Sequence, residues 1–186
     1  MSPPSDRLAP PKLVAAAIET PIGAMVAMAS GAGVCLLEFV DGRTGRGRAR
    51  AFAERQGAEA VSGTSPHLER LRAELDAYFR GSLRRFETPL DLRGTPFQIA
   101  VWRRLSRVGY GETLTYAQLA ARAGRPSAIR AAGHANGRNP VSIVVPCHRV
   151  VGTDGALHGY GGRLWRKKWL RELEGAESPG GRQRRG

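Results

Sequence analysis

Three short apolar segments succeed one another near the N-terminus: LVAAAIET (13–20), GAMVAMAS (23–30) and GVCLLEFV (33–40). The breaks between them, TPIG and SGAG, are short and contain glycine, and spacing this close predicts an antiparallel meander. Whatever else the chain builds must cover a face of that sheet. Ser65-Pro66 opens the first clear helix, with Ser as N-cap and Pro at the first helical position. Its Leu68, Leu71, Leu75 and Tyr78/Phe79 recur at helical spacing and Gly81 can end it, so this helix is expected to lie over the sheet. Cys35, among Val34, Leu36 and Leu37, reads as a small buried core residue. The stretch 41–63, with its GRTGRGR loop and weak helical patch, predicts no definite element.

RRFETPLDLRG (84–94) reads as a linker and puts a boundary near residue 90. Beyond it, Thr95-Pro96-Phe97-Gln98 is a capping box that starts a helix with Phe97, Val101 and Leu105 along one side. Thr115 and Gln118 form a second capping box, followed by an apolar face of Leu119, Ala120 and Ala123 and a stop at Gly124. A GRP turn leads to Ser127, the expected N-cap of a second helix, AIRAAGHAN, which Gly137 and Pro140 end. Two short helices joined by a tight turn read as a helix-turn-helix, although such pairs also occur as plain packing units. The second helix is slim, with Ala128, Ala131, Ala132, Gly133 and Ala135, and Arg130 is its one long basic projection. Trp165, Trp169 and Leu173 recur every four residues and predict the core stripe of a C-terminal helix.

Charge separates the two halves. Residues 1–90 hold 12 Lys/Arg against 10 Asp/Glu, whereas residues 91–186 hold 17 against 6. A basic field confined to one half favours a polyanionic partner, usually nucleic acid, over a merely solvated face. The 186 residues suit one domain of ordinary size or two small ones. No apolar run approaches the ~20 residues of a membrane span, and MSPPSDRLAPPK lacks the apolar region of a secretory signal. Cys35 and Cys147 are far apart, so no disulfide framework is expected and the compartment reads as cytoplasmic and reducing.

The chemistry centres on IVVPCHRVVG (143–152), in which a β-branched run expected as a strand leads directly into Pro146-Cys147-His148-Arg149. A thiol attacks only as its thiolate, and a free cysteine near pKa 8.5 is mostly protonated at neutral pH. His148 and Arg149 are the adjacent candidates to correct that, provided the chain turns at Pro146-Cys147. A carboxylate would be needed to orient the imidazole, and this half offers only Asp91, Glu112, Asp154, Glu172, Glu174 and Glu177. A buried, inert cysteine beside a surface histidine is the rival reading for an isolated pair.

NPVSIVVPCHRVVG, preceded by IRAAGHANGRNP and followed by GYGGRLWRKKWLRELEG, resembles the O6-alkylguanine-DNA alkyltransferases, also called methylated-DNA–protein-cysteine methyltransferases. The likeness runs from about Thr95 to Gly175, and TPIGAMVAMASGAGVCLLEFVD resembles the family's N-terminal opening. It implies an α/β (α+β) chain. A small antiparallel sheet with a helix, ribonuclease H-like, would occupy residues 12–90, and a helical, winged-helix-like domain with the helix-turn-helix residues 91–175. The ends, 1–11 and 176–186, are expected to be disordered.

The implied activity is DNA repair by irreversible, single-turnover transfer of the alkyl group of O6-alkylguanine, with O4-alkylthymine as a second substrate, to Cys147. Buried in a base pair, O6 is out of a thiol's reach unless the nucleotide is flipped out. The resemblance further implies that His148 takes up the thiol proton through a water and that Glu174 orients it, with Glu172 the neighbouring competitor. Asn139 braces the turn and Tyr116 donates toward the leaving guanine. Arg130 is the finger that replaces the flipped base, on a DNA-binding helix with Ser127, Ala131, Gly133 and Ala135, while Val150, Tyr160, Gly161 and Tyr116 line the guanine pocket. No cofactor and no metal are implied. The partner is double-stranded DNA bound without sequence preference, by a protein monomeric in solution, with cooperativity on DNA left open.

The chain departs from the family at Arg163, where a small residue is common, and at Gly161, where some relatives have serine. Two other classes compete: a non-catalytic lesion-binding protein on the same scaffold, against which Cys147 argues, and a helix-turn-helix regulator, which would need no Pro-Cys-His-Arg turn.

Overall fold

The computed structural model describes residues 10–41 and 45–176. The three apolar segments form β1 (Lys12–Ile18), β2 (Met25–Ser30) and β3 (Gly33–Phe39), with β2 antiparallel to both neighbours. The stretch for which the sequence predicts no element supplies α1 (Gly45–Arg55) and β4 (Glu59–Ser62). β4 pairs parallel to β1, giving the order β3-β2-β1-β4. A parallel strand needs a long crossover, and α1 provides it.

Both sheet faces are covered, which is why the strands read as nearly continuous apolar runs. Along β2, Val26 and Met28 face α1, where they meet Ala49, Phe52 and Ala53; Met25, Ala27 and Ala29 face the main core. Helix α2 (Pro66–Phe79) contributes Leu68, Leu71, Leu75 and Tyr78 to that core. Its N-cap forms as the sequence predicts, Ser65 Oγ accepting from the Leu68 N–H at 3.4 Å.

The second half comprises α3 (Pro96–Leu105), β5 (Leu114–Thr115), α4 (Tyr116–Arg122), α5 (Ile129–Gly137), a 3-10 turn at Cys147–Arg149, β6 (Val150–Val151) and α6 (Leu164–Leu173). Both capping boxes close reciprocally, at Thr95/Gln98 and Thr115/Gln118. β5 and β6 pair in parallel, and α4 and α5 make the helix-turn-helix pair. One apolar cluster continues across residue 90, from Ile18 to Leu170. Among the described residues no helix is long and apolar enough to cross a membrane.

Four local expectations are corrected. The linker is an ordered edge segment: Val34 N–H donates to Pro89 C=O and Asp91 N–H to Val34 C=O, so 89–91 follows β3. Ser127 does not cap α5; it lies in the preceding turn, closed by Ala128 N–H on Arg125 C=O, and the helix starts at Ile129 with no side-chain cap. Residues 143–145 are a turn, because Ile143 adopts φ +72°. The aromatic stripe of α6 is displaced: Trp165 is exposed, and the buried positions are Arg166, Lys167, Leu170 and Arg171. Trp169 and Leu173 still pack against the core from partly buried positions, and the cations share the interior because polar partners meet them there. The disorder expected at the ends falls mostly outside the described residues, but Pro11 C=O accepts from Glu59 N–H and Ala176 N–H bonds Arg171 C=O.

Candidate active site

The Cys147 turn is built from the N-terminal sheet outward. β3 holds its entry, since Leu37 N–H donates to Pro140 C=O at 2.8 Å and Ser142 N–H to Leu37 C=O at 2.9 Å. Ile143 then turns left-handed, a conformation that costs a β-branched residue about 1–3 kcal/mol and persists only where its surroundings enforce it. Here the fully buried side chain and the Val145 N–H bond to Val141 C=O do so. Asn139 knits the turn together. Its Oδ1 accepts from Val141 N–H at 3.0 Å, and its Nδ2 donates to Val145 C=O at 2.7 Å and lies 3.1 Å from Cys147 Sγ.

Cys147 is 4% exposed. Burial raises its thiol pKa, against which the Asn139 hydrogen bond and the Lys167 charge pull downward. Next to it, His148 is fully buried and its Nε2 lies 2.9 Å from Glu174 Oε1. Burial lowers the imidazole pKa despite the opposing pull of Glu174, so the ring is neutral at pH 7. With Nε2–H held by a carboxylate, Nδ1 is left with the lone pair; it is buried and without a protein partner.

Glu174, just past the end of α6, is the hub. Arg149 Nε donates to Oε2 at 2.9 Å and Nη2 to Oε1 at 2.8 Å, while Tyr78 Oη donates to Oε1 at 2.7 Å. Burial pushes the Glu174 carboxyl up, but the hydrogen bonds from His148 and Arg149, with the Arg149 charge, outweigh it, and the group stays well below the usual carboxylate range. Glu172 is exposed and faces Lys168. Arg149, weighed in the sequence as support for the thiolate, is instead spent on Glu174 and on the Val108 carbonyl.

Near Cys147, α4, α5 and the 158–163 loop come together. Tyr116 opens α4, and its Oη donates to His158 C=O at 3.1 Å. A Cβ on Gly133 of α5 would sit 3.5 Å from the Tyr116 ring, and one on Gly161 would sit 3.7 Å from Gly137 C=O, ordinary contact distances that place these elements against one another. Tyr160 is half-buried and Val150 fully buried. Burial raises the pKa of Tyr116 and Tyr160, and nearby Cys147 adds to the rise in both.

The sequence reading missed Lys167. It is fully buried, donates from Nζ to His158 C=O at 2.8 Å, and lies 5.9 Å from the Tyr116 ring centroid. Burial lowers its pKa to about 8, against the raising effect of Cys147. The signal was in the chain, as a lysine one helical turn before the buried Leu170–Arg171 pair, but spacing alone does not say that a lysine points inward.

Ser127, in the turn before α5, and Arg130 and Ala131 on it are exposed, and Gly133 is half-buried. Ala135 does not share the outer face: it is 2% exposed, and its carbonyl accepts from Trp102 Nε1 at 2.8 Å. The helical repeat turns it inward beside Ala132. Among the described residues, no cluster of three or more His, Cys, Asp or Glu could hold a metal ion.

Residues 13–92 match the ribonuclease-like domain of 6-O-methylguanine DNA methyltransferase, and residues 96–176 match its DNA binding domain. The methylated-DNA–protein-cysteine methyltransferase of Mycobacterium leprae is 44% identical over 158 residues, 84% of this chain and 89% of that protein. Its Mycobacterium tuberculosis counterpart is 53% identical over 106 residues, 57% of this chain and 64% of the relative's length. Crystal structures of the M. tuberculosis O6-methylguanine methyltransferase, and of M. tuberculosis OGT in complex with DNA, superpose with a TM-score of 0.74 at 38% identity. They cover 90% and 91% of this chain and 96% of each neighbour.

Proposed function

The chain belongs to the 6-O-methylguanine DNA methyltransferase family, and from that premise we propose that it repairs O6-alkylguanine in duplex DNA by moving the alkyl group to Cys147. The observation that carries the reading is the buried Cys147 placed next to a hydrogen-bonded His148–Glu174 pair, with the Asn139 amide 3.1 Å from its sulfur.

The thiol proton passes to His148 at Nδ1, the nitrogen Glu174 leaves free, directly or through a water. Sγ attacks the alkyl carbon, a C–S bond forms, the C–O6 bond breaks and its electron pair stays on guanine. Tyr116 Oη, released from His158 C=O, donates a proton to the departing base. A thioether is not reversed by thiol reductants, so each molecule acts once. Glu174 serves as a positioning residue, because it acts through His148, which it holds together with Arg149 and Tyr78. Arg130 would occupy the gap left by the flipped nucleotide. The other exposed cations of this half would hold phosphates without reading sequence, and the protein would act as a monomer. Two unpaired, widely separated cysteines fit a reducing cytoplasm.

The test is intact-protein and peptide mass spectrometry after incubation with an oligonucleotide carrying O6-methylguanine. One methyl on the Cys147 peptide, with stoichiometric loss of the lesion, is expected. Tight lesion binding without a mass change would overturn transfer and leave a binding protein.

A further inference from the structure

The 158–163 loop, which on the proposed reading walls the guanine pocket, is tied to the N-terminal half by a buried arginine. Arg166 is 4% exposed and reaches from α6 across this loop. Its Nε donates to Ile22 C=O at 2.7 Å, its Nη1 to Gly162 C=O at 3.1 Å and Asp41 Oδ2 at 3.2 Å, and its Nη2 to Asp41 Oδ1 at 2.7 Å. The guanidinium carbon lies 4.3 Å from the Phe39 ring centroid and 4.7 Å from that of Trp165. A Cβ on Gly23 would come within 2.8 Å of Nη2, so the guanidinium has a fitted seat.

Arg163 supplies a second arm. Its Nε donates to Asp41 Oδ2 at 2.8 Å, its backbone sits at φ +73°, and its N–H donates to Tyr160 C=O at 3.0 Å. Asp41, two residues past β3, therefore receives the two arginines that flank the end of the pocket loop. Just before Arg163, Gly162 is pressed so closely that a Cβ there would lie 2.7 Å from both the Phe39 and Tyr160 rings. The departure at Arg163 is thus directed toward Asp41.

We propose that Asp41 is a specificity-determining positioning residue which, through Arg166 and Arg163, fixes Tyr160–Gly162 and so sets the size of alkyl group the pocket accepts. The inference rests on the proposed transfer to Cys147. Asp41 touches no reacting atom; it acts by holding a wall. Arg166 is the stronger arm, because the Arg163 side chain is 66% exposed and its ion pair is screened by solvent. Without the carboxylate, the buried guanidinium loses its counter-charge, and its bond to Gly162 C=O loses a fixed donor.

The experiment compares the full chain with its Asp41→Asn, Asp41→Glu and Arg163→Gln variants. Two quantities are read: the rate of Cys147 alkylation from DNA carrying O6-methylguanine or the bulkier O6-butylguanine, and hydrogen–deuterium exchange by peptide. For Asp41→Asn the butyl-to-methyl rate ratio should rise about tenfold, the scale on which a pocket discriminates by fit, with faster exchange confined to residues 158–166. Asp41→Glu should restore most of the wild-type ratio, and Arg163→Gln should move it less than about twofold. An unchanged ratio in Asp41→Asn, or faster exchange spread over the whole chain, overturns the proposal. If wild-type protein alkylates Cys147 from neither substrate, the transfer reading has failed, and the exchange arm still decides whether Asp41 holds the loop.

Discussion

Around the sheet and α2 the interior is almost wholly apolar, with Leu13, Met25, Leu37, Leu71 and Leu75 among its fully enclosed side chains, whereas past residue 135 it takes in Asn139, His148, Arg149, Arg166, Lys167 and Glu174. An apolar interior tolerates any side chains of the right volume, and its failures scale with the hole left behind. A charged interior is less forgiving, because each ion removed from water costs several kcal/mol unless matched partners meet it. In this molecule that cost is concentrated around one thiol. Lesions in the first region should therefore lower stability and spare chemistry per folded molecule, and lesions in the second should do the reverse or both.

The largest expected effect is on chemistry alone. Cys147→Ala should abolish alkyl transfer while retaining binding to alkylated DNA and shifting unfolding free energy by only about 1 kcal/mol, a small change for a small side chain. Denaturant unfolding alongside a transfer assay checks this, and residual transfer would remove the nucleophile assignment. Glu174→Gln should lose both properties. It leaves Arg149 buried without its counter-charge, at a cost of about 3–5 kcal/mol, and slows alkylation because His148 loses its orienter.

The pH dependence follows from the same group. The folded-state pKa of Glu174 is lowered, so its contribution is fully present above the ordinary carboxylate value of 4.5 and is lost as pH falls below it. Wild-type stability should drop more steeply than that of Glu174→Gln on acidification from pH 5. Parallel curves would mean that the hub contributes little.

Leu75→Ala, in the apolar region, should cost about 2–5 kcal/mol yet leave the alkylation rate per folded molecule unchanged. A slower rate at full folding would break the contrast between the halves. The smallest effect concerns Lys167. Its ammonium supports the Cys147 thiolate while charged and is lost as pH rises through about 8. Wild-type alkylation should therefore stop gaining, or fall, above that pH. Lys167→Met should be several-fold slower at pH 7, in keeping with loss of about 1 kcal/mol of charge support, and should lack the alkaline decline.

Much of the scaffold was legible because its signals are short in range. A serine before a proline, or a threonine three residues before a glutamine, fixes a helix start through bonds within one turn. The meander was legible for the same reason. β4 was not, because EAVS has little pattern of its own and becomes a strand only by pairing with β1. Among the candidate site residues, Cys147 and His148 stand out in the Pro-Cys-His-Arg pattern, whereas Asn139, Tyr116 and Glu174 could be named only through the family resemblance. The bonds of Arg149 to Glu174, and of Tyr78 to the same carboxylate, span 25 and 96 positions and left no mark in any window of sequence.

The amino-acid sequence by itself determined where α2, α3 and α4 begin, where the three meander strands lie, which half is basic and which cysteine stands in a reactive pattern, since each depends on neighbours a few residues away. The tertiary structure alone decided that Ile143 turns rather than extends, that α6 buries its cations and exposes Trp165, and that Asp41 meets Arg163 and Arg166. The reason is physical: burying a charge is unfavourable until its partner is in place, and those partners come from distant parts of the chain.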